Sequence, residues 1–576
     1  METAKEFYCN RLEELTIEYD RLKKKSRIIL IARLLSFLLI VASLYCFGIS
    51  VLGSLFAFIA GLIFLKLVAG SVDLKHRIKF NNSLISINQS EIIAIDGNWS
   101  FDSGVEFESS AHNFSSDLDL FVEKGVFSFL NRTSTLKAKK AFANLLLDGN
   151  PNKEKFQLQL MDLVTEIKWT QEFRAHGESE EVEEDWATAK SFFELHFLTK
   201  IDIVLFPLIF TSLFVLIVFG IVSVQVLFSY VSIMSVILLF RQKKMNLIAA
   251  SFLKNEEKGK VMLKRAELLL RLSPNKMPIP STDVSSLRSS MYKYLKICNL
   301  LNARNNLLVN FILNLLVGLD SYLKIKILQW EKSFESKIEG WEKELVDVEL
   351  LICAATIKYN YPTTIHPDNC EENRIEVQGL SHPLIHHLNP VINDFELADQ
   401  KSFYILTGPN MAGKSTYLRS IGLAIVFANA GLPVFADKMN WSGFTLMTSM
   451  RNKDDINTSS SYFYSELKRL KFIVDTIENK GNVIILLDEI LKGTNSKDKQ
   501  EGSAKFLLKL KRLGAKGVIA THDLKLCELE NEYFENRCFD SEINADQLHF
   551  DYKIRKGICK NMNASFLMKK MNLIDD

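Results

Sequence analysis

Three features are scarce or missing in this sequence. The eight cysteines, at positions 9, 46, 298, 353, 370, 527, 538 and 559, include no Cys-x-x-Cys pair. That spacing argues against a zinc framework or a secreted disulfide scaffold and fits a reducing compartment. Charge of one sign is also absent: 70 Lys and Arg against 68 Asp and Glu leave +2. This excludes a globally basic nucleic-acid coat and an acidic tail protein, so any polyanion contact must be local. There is no short-period repeat and no low-complexity tract. What remains, 576 residues of which 48% are hydrophobic and 24% charged, is enough for several folded domains.

Long uncharged runs are abundant instead. Leu34 to Leu65 is 32 residues without a charge, and Ile203 to Phe240 is 38. A bilayer core takes about 20 helical residues per crossing, so each run reads as two spans joined by a turn, near Gly48–Ser50 and near Gly220. Lys23, Lys24, Lys25 and Arg27 precede the first run, and Lys75, Arg77 and Lys79 follow it; Lys200 and Arg241, Lys243 and Lys244 flank the second. Positive charge at both ends of both runs predicts two hairpins, four spans in the cell membrane, with all soluble parts cytoplasmic. Arg33 and Lys66 stand almost symmetrically about the first turn, where both can extend to one membrane face. A signal peptide has a shorter apolar stretch, and core helices keep a polar stripe. Pro207 and Gln225 are tolerable in spans packed on neighbours.

The expected organisation is a cytoplasmic N-terminal helix (1–27), hairpin one (28–70), a soluble segment (71–200), hairpin two (201–240), a helical lever or core (241–360) and a nucleotide domain (361–576). Residues 241–300 carry thirteen Lys and Arg against four Asp and Glu, a local +9 interrupted by Pro274, Pro278 and Pro280. Such a segment can contact DNA phosphate or anionic lipid, or simply be a solvated helix face beside a membrane. Residues 300–357 show apolar residues at three- and four-residue spacing, the pattern of long helices. After Asn360-Tyr361-Pro362 short β-like stretches alternate with helical ones.

Within that last region Gly408-Pro409-Asn410-Met411-Ala412-Gly413-Lys414-Ser415 matches Gly-x4-Gly-Lys-Ser/Thr, after the apolar strand Phe403–Leu406 and before a helix expected from Thr416. Glycines let backbone N–H groups wrap phosphates, the helix N-terminus adds positive potential, Lys414 reaches the β and γ phosphates, and Ser415 ligates Mg²⁺. Further on, Asn482 to Leu487 is a buried-strand run ending in Asp488 and Glu489. Asp488 is the expected metal carboxylate, and Glu489 the group that orients or deprotonates the attacking water. On a regular strand two adjacent acids point to opposite faces, which leaves an ordinary solvated pair as the plain alternative. A third strand, Gly517 to Ala520, delivers Thr521-His522-Asp523, with His522 able to bond the γ phosphate or the water.

These residues carry a family resemblance. Thr407 to Arg419, with its Pro-Asn-Met core, resembles the phosphate loop of the DNA mismatch repair MutS family. Leu487-Asp-Glu-Ile-Leu-Lys-Gly-Thr494 is similar to that family's Asp-Glu-Ile-x-x-Gly-Thr, and Ala520-Thr-His522 to its Ala-Thr-His. His382-Pro383 and Val391-Ile-Asn393-Asp394 resemble the strands that shape its adenine pocket, which implies nucleotide binding at Asn393. Ser461-Tyr-Phe-Tyr-Ser-Glu466-Leu resembles a segment that reaches the partner subunit's nucleotide, with Tyr462 in place of the usual Thr; Ser461 is thereby implied to act in trans. Asp117 to Phe121 through Leu130 to Thr133 resembles the start of the family's helical core. The resemblance covers about residues 110–170 and 300–576. It implies an α/β P-loop (ABC-like) ATPase domain at the C-terminus, preceded by a mainly α-helical core or lever domain into which the two hairpins are set. It further implies ATP and Mg²⁺ as cofactors, a homodimer through the ATPase domains, and DNA, mismatched DNA in particular, as ligand. The expected departures are equally plain: no room for the N-terminal mismatch-reading domain and its Phe-x-Glu wedge, and no nuclease domain or extended dimerisation tail before the end at Asp576.

Two functions follow as expectations. One is a membrane-anchored MutS-family ATPase whose cycle moves helical levers in a mismatch-repair-like role. The other is a nucleotide-gated membrane scaffold that binds protein or lipid and no DNA. A transporter ATPase fits less well, because the Leu-Ser-Gly-Gly-Gln signature is absent and the spans offer few polar groups for a substrate path.

Overall fold

The computed structural model describes residues 3–48, 50–109, 112–177, 186, 198–388, 390–450, 462–491, 494–544 and 547–559. The chain forms two compact units. The first takes residues 1–132, 139–167 and 351–576, and the second residues 133–138 and 168–350. The segment expected as one soluble piece, 71–200, is therefore shared between them.

All strands among the described residues belong to the first unit. In chain order they are β1 (Asp368–Asn369), β2 (Ile375–Leu380), β3 (Asn393–Leu397), β4 (Phe403–Thr407), β5 (Lys438–Trp441), β6 (Thr445–Ser449), β7 (Val483–Asp488), β8 (Lys516–Ala520), β9 (Phe534–Phe539), β10 (Glu542–Asn544), β11 (Gln547–His549) and β12 (Ile554–Lys556). The main sheet has the order β12-β9-β4-β8-β7-β6, parallel from β9 to β6, with β12 antiparallel at one edge. Its middle strands β4 and β8 are buried along their whole length and β7 up to Asp488, as parallel strands covered on both faces should be. A smaller sheet, β1-β5-β2-β3, precedes and interrupts it in sequence.

The helix Lys414–Ala430 starts two residues before the expected Thr416 and is buried almost all round. Leu118 covers it: a Cβ on Gly422 would stand 2.7 Å from the Leu118 side chain. The surrounding residues, which resemble the start of a helical core, form turns here. Asp117 accepts from Thr448 Oγ1 (2.6 Å) and Met450 N (3.1 Å), and its carbonyl accepts from Arg419 Nε (3.1 Å).

Two helices, Ala4–Phe47 and Val51–Ile95, form a long antiparallel hairpin in this unit. Lys5 meets Asp96, Arg33 meets Ser71, Phe37 meets Phe64 and Phe47 meets Phe56. The turn lies at the expected place, with Gly48 at φ 55° and Ser50 capping Gly53 N. The expected N-terminal helix is continuous with the first apolar stretch, since Thr3 and Glu6 form a capping box and no Gly or Pro follows before Gly48. At about 1.5 Å per residue a 44-residue helix is about 66 Å long, roughly twice a bilayer core. The end away from the turn is the base, where Tyr8 and Leu15 are buried and Tyr8 donates to Asn360 Oδ1 (2.8 Å). Beside it Arg132 makes a two-pronged pair with Glu91 (2.7 and 3.1 Å), both side chains about 1% exposed or less. Asn360 adds a bond to Glu91 (3.0 Å), and the Arg132 guanidinium lies 3.7 Å from the centre of the Phe101 ring.

The second unit is helical. Leu198–Val218 and Val224–Leu253 are joined by a turn in which Gly220 has φ 72°. The second helix continues past the expected end at 240, and there Met245, Ile248, Ala249 and Phe252 are buried, with Tyr294 donating to the Phe252 carbonyl (2.6 Å). Glu256–Leu269 and Ser281–Arg304 follow, separated by the proline-bearing break, then Leu307–Val317, Leu319–Phe334 and Ile338–Asn360, the last passing into the first unit at Leu351. Three helices among the described residues, Ala4–Phe47, Val51–Ile95 and Val224–Leu253, are long and apolar enough to cross a membrane, and Pro207–Val218 is a shorter apolar stretch.

Removing one member of a buried ion pair leaves the other charge without compensation. Glu91→Ala should therefore destabilise the first unit by about 3–5 kcal/mol, read as a lowered unfolding midpoint in detergent. An unchanged midpoint would remove this pair from the list of contacts that hold the hairpin base.

Candidate functional site

The strand order brings the three motif-bearing strands together. β4 pairs with β8, and β8 with β7, all parallel, so the residues after their C-terminal ends emerge at one edge of the sheet. After β4 comes the loop 408–413, with Gly408 at φ 146° and Gly413 at φ 99°, and Met411 also left-handed at 69°. Lys414, at the first turn of the following helix, donates to the carbonyls of Gly408 (2.7 Å) and Pro409 (2.9 Å) and lies 3.3 Å from His522 Nε2. Burial lowers the pKa of this ammonium, opposed chiefly by the carboxylates of Asp488 and Glu489.

Ser415 Oγ donates to Asp488 Oδ2 at 2.6 Å, joining the loop to the end of β7. Glu489 does not continue that strand. It turns into the left-handed region at φ 53°, so the strict alternation that would separate the two acids ends at Asp488. Its backbone N–H bonds the Ala520 carbonyl (2.9 Å), and its Oε1 stands 3.0 Å from His522 Nε2. Asp488, Glu489 and His522 thus all border one cavity.

That cavity has a volume of about 760 Å³ and is lined by 409–411, 413–416, Asn393, Asp488, Glu489 and His522. Gly408 and Ala412 lie in the loop but outside the lining; Gly408 supplies a carbonyl to Lys414, and Ala412 is buried. Leu380, His382, Ile385 and Val391 form an apolar wall. Burial pushes the His382 pKa down to about 4, and Leu384 N donates to its Nδ1, so the ring is neutral near pH 7. Asn393 uses its amide on chain rather than cavity: Nδ2 donates to the Tyr552 carbonyl, and Oδ1 accepts from Ile554 N, both at 2.9 Å. Ser461, expected to act on a partner's nucleotide, lies outside the described residues.

Three contributors were not singled out as site residues, although Tyr417 and Glu466 stand within the quoted motif segments and Tyr552 has no motif signal. Tyr552, at φ 55°, lines the cavity, and its ring comes within 3.3 Å of where a Cβ on Gly413 would be. Tyr417 donates to the Asp394 carbonyl at 2.7 Å, tying the loop's helix to β3. Glu466, 2% exposed on the helix Tyr462–Lys480, accepts from Leu491 N at 2.5 Å. Leu491 has φ 59°, so Glu466 clamps the same left-handed turn that aims Glu489. The segment around Glu466 could be seen in the sequence; its contact partner could not.

As to a metal, Ser415 and Asp488 offer a hydroxyl and a carboxylate oxygen in contact, the hard donors Mg²⁺ takes when phosphates and water complete its shell. No group of three or more His, Cys, Asp or Glu is placed to hold a metal ion among the described residues, so those residues supply no cage of their own. The donor set fits Mg²⁺ held jointly with a phosphate.

Residues 404–572 match the family model of MutS domain V. That domain is the ATPase domain of the MutS family. A DNA mismatch repair protein MutS of Thermotoga maritima is 30% identical over 223 residues, covering 38% of this chain and 27% of that protein. The human MutS protein homolog 4 is 33% identical over 203 residues, 32% of this chain and 20% of that one. An Endonuclease MutS2 of Streptococcus sanguinis is 31% identical over 216 residues, 36% and 26% respectively. The matched part spans about a quarter of the length of these relatives.

The Glu466 clamp makes a prediction. A bond to a charged acceptor is worth about 1.5–3 kcal/mol, so Glu466→Ala should lower kcat for ATP by roughly tenfold or more. Nucleotide affinity should hardly change, because Glu466 does not line the cavity. A loss of affinity at constant kcat would show that Glu466 shapes the binding wall instead.

Proposed function

We propose that the chain is a membrane-embedded ATPase of the MutS type. One observation carries this reading: Ser415–Asp488 and Glu489–His522 meet at the C-terminal edge of adjacent parallel strands, facing the phosphate loop. Loop N–H groups and Lys414 bind and orient the triphosphate. Mg²⁺, held by Ser415 and Asp488, would neutralise charge on the β and γ oxygens. Glu489 takes a proton from water as the water oxygen bonds to the γ phosphorus, and the bond to the bridging oxygen breaks to leave ADP and phosphate. His522 Nε2 can donate to Glu489 or accept from Lys414, but not both while neutral. Once Lys414 turns to the phosphates, Nε2–H is committed to Glu489 and fixes its carboxylate. Ser461 of a second copy would complete the site in a homodimer joined through the ATPase domains.

Membrane anchoring rests on exposure. The most apolar windows of Ala4–Phe47, Val51–Ile95 and Val224–Leu253 are only 11%, 11% and 6% buried by the protein itself. Phe37, Phe58, Phe228 and Phe240 all stand more than half exposed. Contiguous apolar surface of this extent is not sustained in water, and lipid is the solvent that fits it. With Leu198–Val218 as the fourth span, both pairs form hairpins in a cell membrane with the ATPase domain on the cytoplasmic side.

The ligand of the cycle is DNA on the family reading. One observation favours the scaffold reading instead. In the +9 segment, Lys258 pairs with Glu342, Lys260 with Glu256 and Glu257, Lys264 with Glu267, Arg265 with Glu349 and Arg271 with Glu172. Lys260 and Lys264 pair with the segment's own acids, and Lys258, Arg265 and Arg271 with carboxylates elsewhere in the unit, so part of the net +9 is answered there rather than presented to a polyanion.

ATP turnover by the purified full-length protein, with duplex, mismatched and branched DNA, separates the two. DNA action predicts stimulation that falls steeply between low and physiological salt as counterions compete. Robust turnover indifferent to every DNA would contradict it and leave the nucleotide-gated scaffold.

A further inference from the structure

The helix Leu307–Val317 stands in a stretch without charge from Asn305 to Leu319, yet it is built the wrong way round for water. Asn310 and Asn314, one turn apart, share a face. Asn314 is 3% exposed: its Nδ2 donates to Asn310 Oδ1 (2.6 Å) and its Oδ1 accepts from Asp320 N (2.9 Å). The outward face carries Ile312 and Leu316, exposed by 49 and 41%, and Val317, exposed by 49%, ends the helix. A helix on a water-facing surface would turn its asparagines out and these aliphatics in.

Its ends are fixed as well. The chain bends by 116° between Ser281–Arg304 and Val309–Val317. Arg304 pairs with Asp320 through two bonds of 2.6 and 3.1 Å, with side chains 2% and 9% exposed, and also donates to Asn246 Oδ1 (2.7 Å). The segment between Arg304 and Asp320 therefore leaves the helical stack and returns to it, hinged at Gly318 with φ 60°. Where it leaves, it packs on Leu198–Val218 and Val224–Leu253, the two helices of the second hairpin. Eleven residues make about 16 Å of helix, half of a bilayer core of about 30 Å, so the segment can enter lipid but cannot cross it.

We propose that Leu307–Val317 is a re-entrant helix that inserts its Ile312–Leu316 face into the lipid beside the second hairpin, making that membrane element three helices rather than two. This rests on the membrane reading of the hairpin. Asn310 and Asn314 then satisfy each other and the turn at Asp320 on the protein side, as polar groups at membrane depth must.

The test uses the full chain in liposomes, with Cys9, Cys46 and Cys370 replaced by serine and single cysteines placed at 312, 316, 236 or 326. Each is probed with a charged maleimide and, after fluorophore attachment, with nitroxide-bearing lipid. Val236 reports the hairpin and Lys326 an exposed site outside the apolar stretch. We expect I312C and L316C to react at least about tenfold more slowly than K326C and to be quenched by the lipid nitroxide, as V236C is. If they react like K326C while V236C is protected, the re-entrant helix is wrong and the hairpin stands. Protection without quenching would mean a protein surface, such as a second copy, covers the face, which also overturns the proposal. Free reaction of V236C would sink the membrane reading and this inference together.

Discussion

Everything at the site depends on the adjacency of β4, β8 and β7. Three parallel strands in that order end at one edge, and each hands its next residue to the same few ångströms of space. The contact that seals the arrangement is Ser415 Oγ to Asp488 Oδ2, which joins the loop after β4 to the tip of β7 across β8. Around it the chain accepts backbone conformations it would otherwise avoid. Met411, Glu489 and Leu491 are all left-handed, and so is Tyr552 on the far side of the cavity. Non-glycine residues in this region are costly and persist where the surroundings over-determine them; here Glu466 and Asn393 are among the groups that do so.

The long hairpin and the site cavity are connected through one short helix within the first unit. The base of the first hairpin ends at Asp96, and directly after it Gly97, at φ 86°, leaves no room for a side chain against His387. Trp99 then meets the His387 ring edge-on at 6.2 Å. His387 belongs to the short helix Pro383–Leu388, whose Ile385 and Leu388 line the cavity. The Glu91–Arg132–Asn360 cluster and the Tyr8 bond hold the same base from the other side. The hairpin is therefore packed onto the nucleotide domain itself and not merely tethered by a linker.

How much of this was legible in the sequence follows from range. The phosphate loop, the strand before it and the helix after it are local and follow from glycine spacing and an apolar run. The turns at Gly48 and Gly220 were legible for the same reason. The aim of Glu489 was not, because a strand pattern puts neighbouring acids on opposite faces and nothing local announces the left-handed turn. Tyr552 comes from a distant part of the chain and has no motif, and the bond from Leu491 to Glu466 joins two motif segments that nothing local pairs. The break expected near residue 27 followed a change in charge, but a helix ends at caps and breakers, and none occurs before Gly48. In Leu307–Val317 the three- and four-residue spacing was readable, while the direction of its apolar face needed burial to reveal it.

The central claim is that this cavity hydrolyses ATP with Glu489 as the group that activates water. Its most direct measurement is a single-turnover experiment with Glu489→Gln in membranes, following bound ATP and released phosphate separately. The account predicts ATP binding close to that of the unaltered protein and phosphate release slowed by about 10²–10⁴-fold, the range for loss of a general base. Phosphate release at the ordinary rate would contradict it and return the search for the base to the other groups around His522.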